Sequence, residues 1–207
     1  WHEDYANKGM FQFTSCHNIV VRDVVFEHGL AESAGADVFY VMDSHHLLFD
    51  KCTFVYDGCD TDACDESFHF ASPSTFITVS RCFFDTYAQN INVKHGSYLG
   101  NKGYDDQSAR VTFFENYFLN GHSREPKVDV GWIHILNTIY VDETADHAYY
   151  GIRSIGFEDV TPEVLVEGAY VERFKGIFVT ETGGVIAEEM TNVDAFSRAS
   201  SSAACSA

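Results

Sequence analysis

A nine-residue pattern that recurs along the chain constrains the fold more than any other feature of the sequence. Each copy holds an apolar triplet, four residues that are mostly polar or small, and then an aromatic or bulky apolar residue. The copies start between about 22 and 34 residues apart, a spacing typical of solenoids and other repeat arrays. They read "NIVVRDVVF", "HLLFDKCTF", "FITVSRCFF", "RVTFFENYF", "WIHILNTIY" and "EVLVEGAYV", and start at residues 18, 46, 76, 110, 132 and 163.

Alignment of the copies produces two columns of like residues. Successive coils of a β-solenoid bury their inward side chains against the coils above and below, so each inward position becomes a column. A β-sandwich, the competing all-β fold, would place turns about every 8–12 residues without such columns. The sequence therefore favours an all-β solenoid. One predicted column is Phe26, Phe54, Phe84, Phe118, Tyr140 and Val171, and the other is Ile19, Leu47, Ile77, Val111, Ile133 and Val164.

The length and composition of the chain indicate one domain. The chain has 207 residues, of which 45% are hydrophobic, so it is long enough to bury a substantial core. We expect this domain to occupy residues 1–190. The stretch 191–207 ends in "SRASSSAACSA", and its small polar residues are typical of a tail or linker.

The charge of the chain excludes two classes of partner. There are 31 acidic and 13 basic residues, which give a formal net charge of −18. Such a surface repels nucleic acid and anionic membranes. A −18 protein that binds an acidic polysaccharide must also overcome repulsion, which a methyl-esterified polymer avoids.

The six cysteines lack the close paired spacing of a structural zinc site, and they favour an oxidising, extracellular location. Cys52 and Cys82 occupy one column of the aligned copies. Because adjacent coils lie about 4.8 Å apart, these two residues could form a disulfide. An unbonded inward stack fits the same spacing, since free cysteine is among the most buried residue types.

Three stretches of the sequence resemble segments of the pectate and pectin lyases. The stretch "ARVTFFENYFLNGHSREPKVDVGWIHILNTIYVD" is similar to the segment in which an N-Y-F strand leads to an R-x-P-[RK]-V turn and a further strand. The stretch "GADVFYVMDSHHLLFDKCTF" is similar to the D-A-I to D-H-C-T-F segment, and "DESFHFASPSTFITVSRCFF" to the D-G-x-x-D segment. The likeness covers roughly residues 9–175 in one order.

This resemblance implies a right-handed parallel β-helix that cleaves polyuronides such as pectin by β-elimination. In that reaction a base removes the proton α to the uronate carboxylate, and the glycosidic oxygen leaves from the β carbon. Calcium or cationic side chains neutralise the carboxylate, because the α-proton is acidic only when the developing charge is stabilised. The implied ligand is an acidic or methyl-esterified polysaccharide.

The resemblance also implies roles for individual residues. Arg124 matches the family's catalytic arginine, and Lys127 occupies a position where the pectin lyases also have lysine, so both are predicted to be catalytic. Asp37 matches a calcium ligand of the pectate lyases, and Asp65 matches the first acid of D-G-x-x-D. Since a guanidinium normally stays protonated, its physical chemistry favours an electrostatic clamp over a base for Arg124.

The chain departs from the family pattern at several positions. His69 replaces the second acid of D-G-x-x-D, and imidazole is a poor ligand for calcium, which takes oxygen donors. Asp129 replaces the second arginine of the R-x-P turn. The family's lysine, its D-H-C histidine and the pectin-lyase arginine align with Gln89, Lys51 and Cys64.

Other residues complete the predicted site. Glu66 joins Asp37 and Asp65 as a predicted calcium ligand, and it ends an acidic run, "CDTDACDE", whose simpler interpretation is a solvated loop. Lys94 and His95 belong to an insertion over residues 85–109, and together with His69 they are predicted to bind substrate. Arg124 and Lys127 could equally be loop charges that pair with neighbouring acids.

A second hypothesis comes from a different class of protein. The chain starts in what resembles the middle of a solenoid, so we expect the N-terminal cap of the family to be missing. An open coil leaves strand edges that pair with other chains, which would allow self-association. The protein would then be an inactive β-helix that serves as a structural or glycan-binding subunit of an extracellular assembly or filament.

Overall fold

The computed structural model describes residues 9–28, 37–56, 66–71, 73–86, 91–94, 109–143, 151–156, 161–173, 177–181, 184–189 and 192–193. In this part of the chain the regular structure consists of strands alone. They follow one another in groups of three, and each group forms one coil. The first four coils contain β1 (Gly9–Thr14), β2 (His17–Arg22) and β3 (Val25–His28); β4 (Asp37–Met42), β5 (His45–Asp50) and β6 (Thr53–Tyr56); β7 (Phe68–Ala71), β8 (Thr75–Ser80) and β9 (Phe83–Asp85); and β10 (Ile91–Lys94), β11 (Arg110–Phe114) and β12 (Tyr117–Leu119).

The remaining three coils have the same order of strands. They contain β13 (Lys127–Val128), β14 (Trp132–Leu136) and β15 (Ile139–Val141); β16 (Ile152–Ile155), β17 (Glu163–Glu167) and β18 (Tyr170–Glu172); and β19 (Phe178–Glu181), β20 (Val185–Glu189) and β21 (Asn192–Val193). Strand β10 lies inside the stretch 85–109 that the sequence suggested to be an insertion. Strand β21 begins just beyond the domain boundary that we expected at residue 190, and that boundary stays a prediction.

Equivalent strands of successive coils pair in parallel and form three seven-stranded sheets. The first sheet takes the first strand of each coil, in the order β1-β4-β7-β10-β13-β16-β19. The second sheet takes the second strands and the third sheet takes the third strands. The predicted solenoid is confirmed as a parallel β-helix.

The register of the coils confirms both predicted columns. In the second sheet Leu47 pairs with Ile77 and Val111 pairs with Ile133. In the third sheet the rings of successive coils stack nearly parallel. The ring centroid of Phe84 lies 4.9 Å from that of Phe54 and 4.6 Å from that of Phe118. These buried aromatic rings supply large apolar areas to the core, which no single coil could bury alone.

Two-residue turns connect the second sheet to the third. The first turn residue has a left-handed backbone, which lets the chain change direction within a very short length. The second turn residue faces inward where it is buried, as Cys52 and Cys82 are. The left-handed residues, with φ between 50° and 63°, are Asp23, Lys51, Arg81, Glu115, Asn137 and Gly168.

Cys52 and Cys82 stack in adjacent coils as free thiols. Each is 1% exposed. Of the two alternatives that the sequence left open, the unbonded stack is the one observed. The next coil continues this column with Asn116, which accepts a hydrogen bond from the Cys82 amide and donates one to the Val79 carbonyl, each at 2.9 Å. Cys16 is also a free thiol, while Cys59, Cys64 and Cys205 lie outside the described residues.

A buried carboxylate links three coils on the outside of the second sheet. Asp50 is 1% exposed, and its Oδ2 accepts a hydrogen bond from Arg22 Nε at 2.8 Å. Its Oδ1 accepts hydrogen bonds from Ser80 Oγ at 2.8 Å and from Arg81 Nη2 at 2.6 Å. Burial alone would raise the pKa of Asp50, but the hydrogen bonds from Ser80 and Arg81 and the two guanidinium charges leave it below its ordinary value.

The described residues contain no helix that is long and apolar enough to cross a membrane.

We expect Asp50→Asn to lower the free energy of unfolding by about 1–3 kcal/mol, because the amide cannot accept the same charge-assisted hydrogen bonds. A group with a lowered native pKa stabilises the fold above its ordinary pKa of about 3.9, and this contribution is lost as the pH falls through the native value. Urea unfolding at several pH values should therefore show a gap between parent and variant that closes in acid. The matched control is Asp23→Asn, at an exposed left-handed turn residue. An equal effect of both substitutions would contradict this account.

Candidate active site

Two buried carboxylates lie side by side at the start of the first sheet. Asp37 begins β4, and Glu66 lies two residues before β7. Because Phe39 pairs with Phe68, Asp37 and Glu66 occupy the same position in adjacent coils. The Glu66 amide donates a hydrogen bond to Asp37 Oδ1 at 3.2 Å, and Glu66 is 1% and Asp37 2% exposed. Charges at this depth need compensation from their neighbours.

His69 brings an imidazole to the same carboxylate. It lies in β7 beside Tyr40 of β4, and the two ring centroids are 5.0 Å apart. His69 Nδ1 lies 3.4 Å from Asp37 Oδ2, and its side chain is 13% exposed. A carboxylate beside Nδ1 favours the tautomer that carries its proton on that nitrogen. Asp37 therefore orients His69.

Arg124 reaches this cluster from two coils away. It lies in the turn before β13, and its Nη1 contacts the Glu66 carboxylate. The backbone of the turn is held on both sides, since the Ile91 amide donates to the Arg124 carbonyl at 2.8 Å and the Glu125 amide donates to the Gly151 carbonyl at 2.9 Å. Arg124 has φ of 64°, and a cis peptide bond joins Glu125 to Pro126. These contacts fix a cation beside the buried acids.

Lys127 lies on the same sheet and is paired with an acid. In the register of the first sheet His69 is next to Asn92, and Asn92 is next to Lys127. Lys127 is therefore two coil steps from His69, roughly 10 Å along the helix axis. Its Nζ lies 3.2 Å from Asp129 Oδ2, and both side chains are mostly buried. Asp129, which replaces the second arginine of the family's R-x-P turn, is therefore the ion-pair partner of Lys127.

A third buried acid, Glu125, lies in the turn that carries Arg124. Glu125 is fully buried, and a Cβ placed on Gly121 would lie 1.5 Å from Glu125 Oε1. A side chain at position 121 would therefore have to displace the end of the Glu125 side chain from this position. Burial, with a further contribution from the Glu125 charge, raises the pKa of Tyr140 well above its ordinary value. Tyr140 belongs to the aromatic column of the core, so the Glu125 charge acts electrostatically on a residue of that column.

The structure brings together four of the predicted site residues: Asp37, Glu66, His69 and Arg124. The contact between Glu66 and Arg124 was not predicted, because 58 residues separate them in sequence. For Lys94 only the backbone is described, and it pairs with Ala71 in the first sheet. His95, Asp65, Gln89 and Cys64 lie outside the described residues, so predictions for these four residues stay predictions.

Asp37, Glu66 and His69 could hold a metal ion, since one ligand atom from each lies within 4.8 Å of the others. Calcium takes six to eight oxygen ligands, whereas this set offers two carboxylates and one nitrogen. The Arg124 guanidinium already neutralises Glu66, and it would repel a second cation. These donors fit calcium poorly. Calcium therefore takes part in no step of the reaction that we propose.

Comparison with known proteins decides the family. A family model described as pectate lyase matches residues 4–204. The chain belongs to the pectate lyase family. This pectate lyase family member is 29% identical over 134 residues to the pectate trisaccharide-lyase of Thermotoga maritima, over 59% of the chain and 33% of that protein. It is 24% identical over 173 residues to pectate lyase A of Aspergillus niger, over 83% of the chain and 50% of that protein. The chain thus spans half or less of the length of these relatives.

Solved structures of pectate lyases share the fold. A thermostable pectate lyase superposes with a TM-score of 0.63 at 21% identity, over 86% of this chain and 51% of that one. A pectate lyase bound to a hexasaccharide superposes with a TM-score of 0.59 at 15% identity, over 90% of this chain and 56% of that one. These likenesses confirm the parallel β-helix.

If the described donors bind calcium poorly, calcium should not stabilise the fold. We expect thermal unfolding followed by circular dichroism to give the same Tm in millimolar calcium and in chelator, because an ion that does not bind the native state cannot shift the unfolding equilibrium. Asp37→Asn should show the same indifference. A saturable rise of the parent Tm that Asp37→Asn abolishes would contradict this assignment.

Proposed function

We propose that this chain is a polysaccharide lyase-like protein that acts extracellularly on pectin or a related polyuronide by β-elimination, with Arg124 at its active site. The observation that carries the proposal is the placement of a fixed guanidinium beside an oriented imidazole and a pair of buried carboxylates. A cation that neutralises a uronate and a base that accepts its α-proton are the two groups the reaction needs. The likeness to a pectate lyase bound to a hexasaccharide supports the class of ligand.

Arg124 provides the electrostatic part of the mechanism. In the free protein its guanidinium contacts Glu66. The planar fork of a guanidinium matches a carboxylate in a bidentate arrangement, so the substrate uronate can share or replace that contact. As the α-proton leaves, negative charge develops on this carboxylate. A cation fixed at that point stabilises the transition state more than the ground state.

His69 provides the proton acceptor. With Nδ1 directed at Asp37, we assign Nε2 as the atom that takes the proton α to the uronate carboxylate. The electron pair of the broken C–H bond forms the new carbon–carbon double bond, and the bond from the β carbon to the glycosidic oxygen breaks. The leaving oxygen takes a proton from solvent or from the imidazolium. Each step uses groups that this site or water supplies.

Lys127 fits a supporting role in substrate binding. It is about two coil steps from His69 along the first sheet, so it can contact a neighbouring unit of a bound oligosaccharide. The ion pair with Asp129 weakens the attraction of the Lys127 ammonium group for an anion. Together with the net charge of −18, this favours a partly methyl-esterified polymer over a fully acidic one.

An inactive, glycan-binding subunit of an extracellular assembly is the second candidate. One observation favours it: both cations of the site already contact acids of the chain, Arg124 with Glu66 and Lys127 with Asp129. Cations that are already neutralised by acids of the chain have less capacity to stabilise the charge that develops on a substrate. Binding of polygalacturonate without formation of an unsaturated product would support this candidate.

Removal of the Arg124 guanidinium should abolish most of any lyase activity. We expect Arg124→Ala to lower turnover of methylated pectin and polygalacturonate by about 100-fold or more, because a preorganised charge at the developing anion is lost. The measurement is the ultraviolet absorbance of the unsaturated uronate product.

The matched control for that experiment is Arg153→Ala, since Arg153 lies next to Lys127 in the first sheet and pairs with Glu181 at 2.6 Å. It removes the same charge from the same sheet and should leave turnover within about twofold, as substitutions remote from the reacting atoms usually do. Circular dichroism checks that both variants fold. Equal losses in the two variants would contradict the role of Arg124.

A further inference from the structure

An exposed row of aromatic and cationic side chains crosses the outer face of the second sheet. Its members come from four consecutive coils, and we call it the surface ladder. Arg110 pairs directly with Trp132, and Phe76 lies beside Arg110 because Ile77 pairs with Val111. His46 lies beside Phe76 because Leu47 pairs with Ile77. The surface ladder is His46, Phe76, Arg110 and Trp132.

The members of the surface ladder contact one another in pairs while they face solvent. The rings of His46 and Phe76 stack with centroids 5.0 Å apart. The Arg110 guanidinium lies 5.3 Å from the centroid of the Trp132 ring. Phe76 is 57% exposed and Trp132 is 46% exposed. Single exposed apolar residues need no explanation, but here two exposed aromatic residues flank a guanidinium in one row, which marks a candidate binding surface.

A second row of polar side chains runs parallel to the surface ladder. Thr78, Thr112 and His134 are paired across three coils, two residues further along their strands. They point to the same outer face and are partly exposed. Hydroxyl groups donate and accept hydrogen bonds, whereas His134 Nε2 already lies 2.5 Å from Glu167 Oε2. The face therefore combines apolar platforms with a line of hydrogen-bonding groups.

We propose that this face is a second polysaccharide-binding surface, which holds a linear polyuronide along the helix axis. The inference rests on the proposed function, since it takes the same class of polymer, but it places that polymer on the second sheet instead of the first. Coils repeat about every 4.8 Å, so the surface ladder offers a regular series of contacts to a polymer that also repeats regularly. The apolar faces of pyranose rings pack on aromatic side chains, and their hydroxyls suit the threonine row.

Arg110 is the reason to expect a uronate in preference to a neutral sugar. It places a guanidinium between two aromatic platforms in a protein whose net charge is −18. A guanidinium matches the geometry of a carboxylate. The next residue of the row, Glu163, pairs with Trp132 and carries a charge opposite to that of Arg110. The favourable stretch for an acidic polymer therefore ends at Trp132.

Substitution of the ladder should weaken polymer binding without touching the candidate active site. We expect Trp132→Ala and Arg110→Ala each to raise the Kd for polygalacturonate, measured by isothermal titration calorimetry, by about tenfold, as loss of an aromatic or arginine anchor typically does. Turnover of short oligogalacturonates should be unchanged. The matched control is Ile139→Ala, which removes a side chain 37% exposed on the third sheet and should leave the Kd unchanged.

Several outcomes would overturn the proposal. Equal Kd values for Trp132→Ala and Ile139→Ala would do so, as would tighter binding of a neutral cello-oligosaccharide that survives Arg110→Ala. A dimer detected by light scattering that Trp132→Ala dissociates, with no change in polysaccharide binding, would show that a second copy of the chain covers the face instead. If no unsaturated product forms but Trp132→Ala still weakens binding, the proposed lyase activity fails and this inference stands.

Discussion

The register between successive coils is the constraint on which the rest of the structure depends. Each coil has only three short strands, so its inward side chains are buried only if the coils above and below place like residues in line. The ring stack that runs from Phe54 through Phe84 to Phe118 shows this alignment most clearly. A slip of one residue in any strand would turn its inward residues outward. Each such slip would also break the stack, and this cost fixes the register.

The same register assembles the candidate active site. Asp37 and Glu66 come together because they hold one position in neighbouring coils, and Arg124 reaches them from two coils further along. The buried acids need the guanidinium, and the guanidinium is fixed by them. This mutual compensation explains how a site with little resemblance to a calcium site remains stable. Under the proposed function, the protein instead of a bound metal supplies the positive charge that a uronate meets.

The sequence predicted the parts of the fold that repeat and missed the parts that do not. Both inward columns were correct because apolar residues recur at fixed positions. The sequence predicts an insertion where strand β10 lies, since "INVK" lacks the nine-residue pattern. The contact of Arg124 with Glu66 depends on which coils are neighbours, and no local pattern encodes that. No sequence pattern predicts the surface ladder, because an outward position shows no shared residue type, although its members occupy the first position of four copies of the nine-residue pattern.

The central claim is that Arg124 and His69 meet one uronate unit of a bound polymer. A crystal structure of the His69→Gln variant with a galacturonate oligosaccharide tests it most directly, because a variant without the imidazole should preserve the intact substrate. The account predicts a uronate carboxylate within hydrogen-bonding distance of the Arg124 guanidinium, and an α carbon that faces the side chain at position 69. An oligosaccharide bound only elsewhere, with Arg124 still held by Glu66 alone, would contradict it.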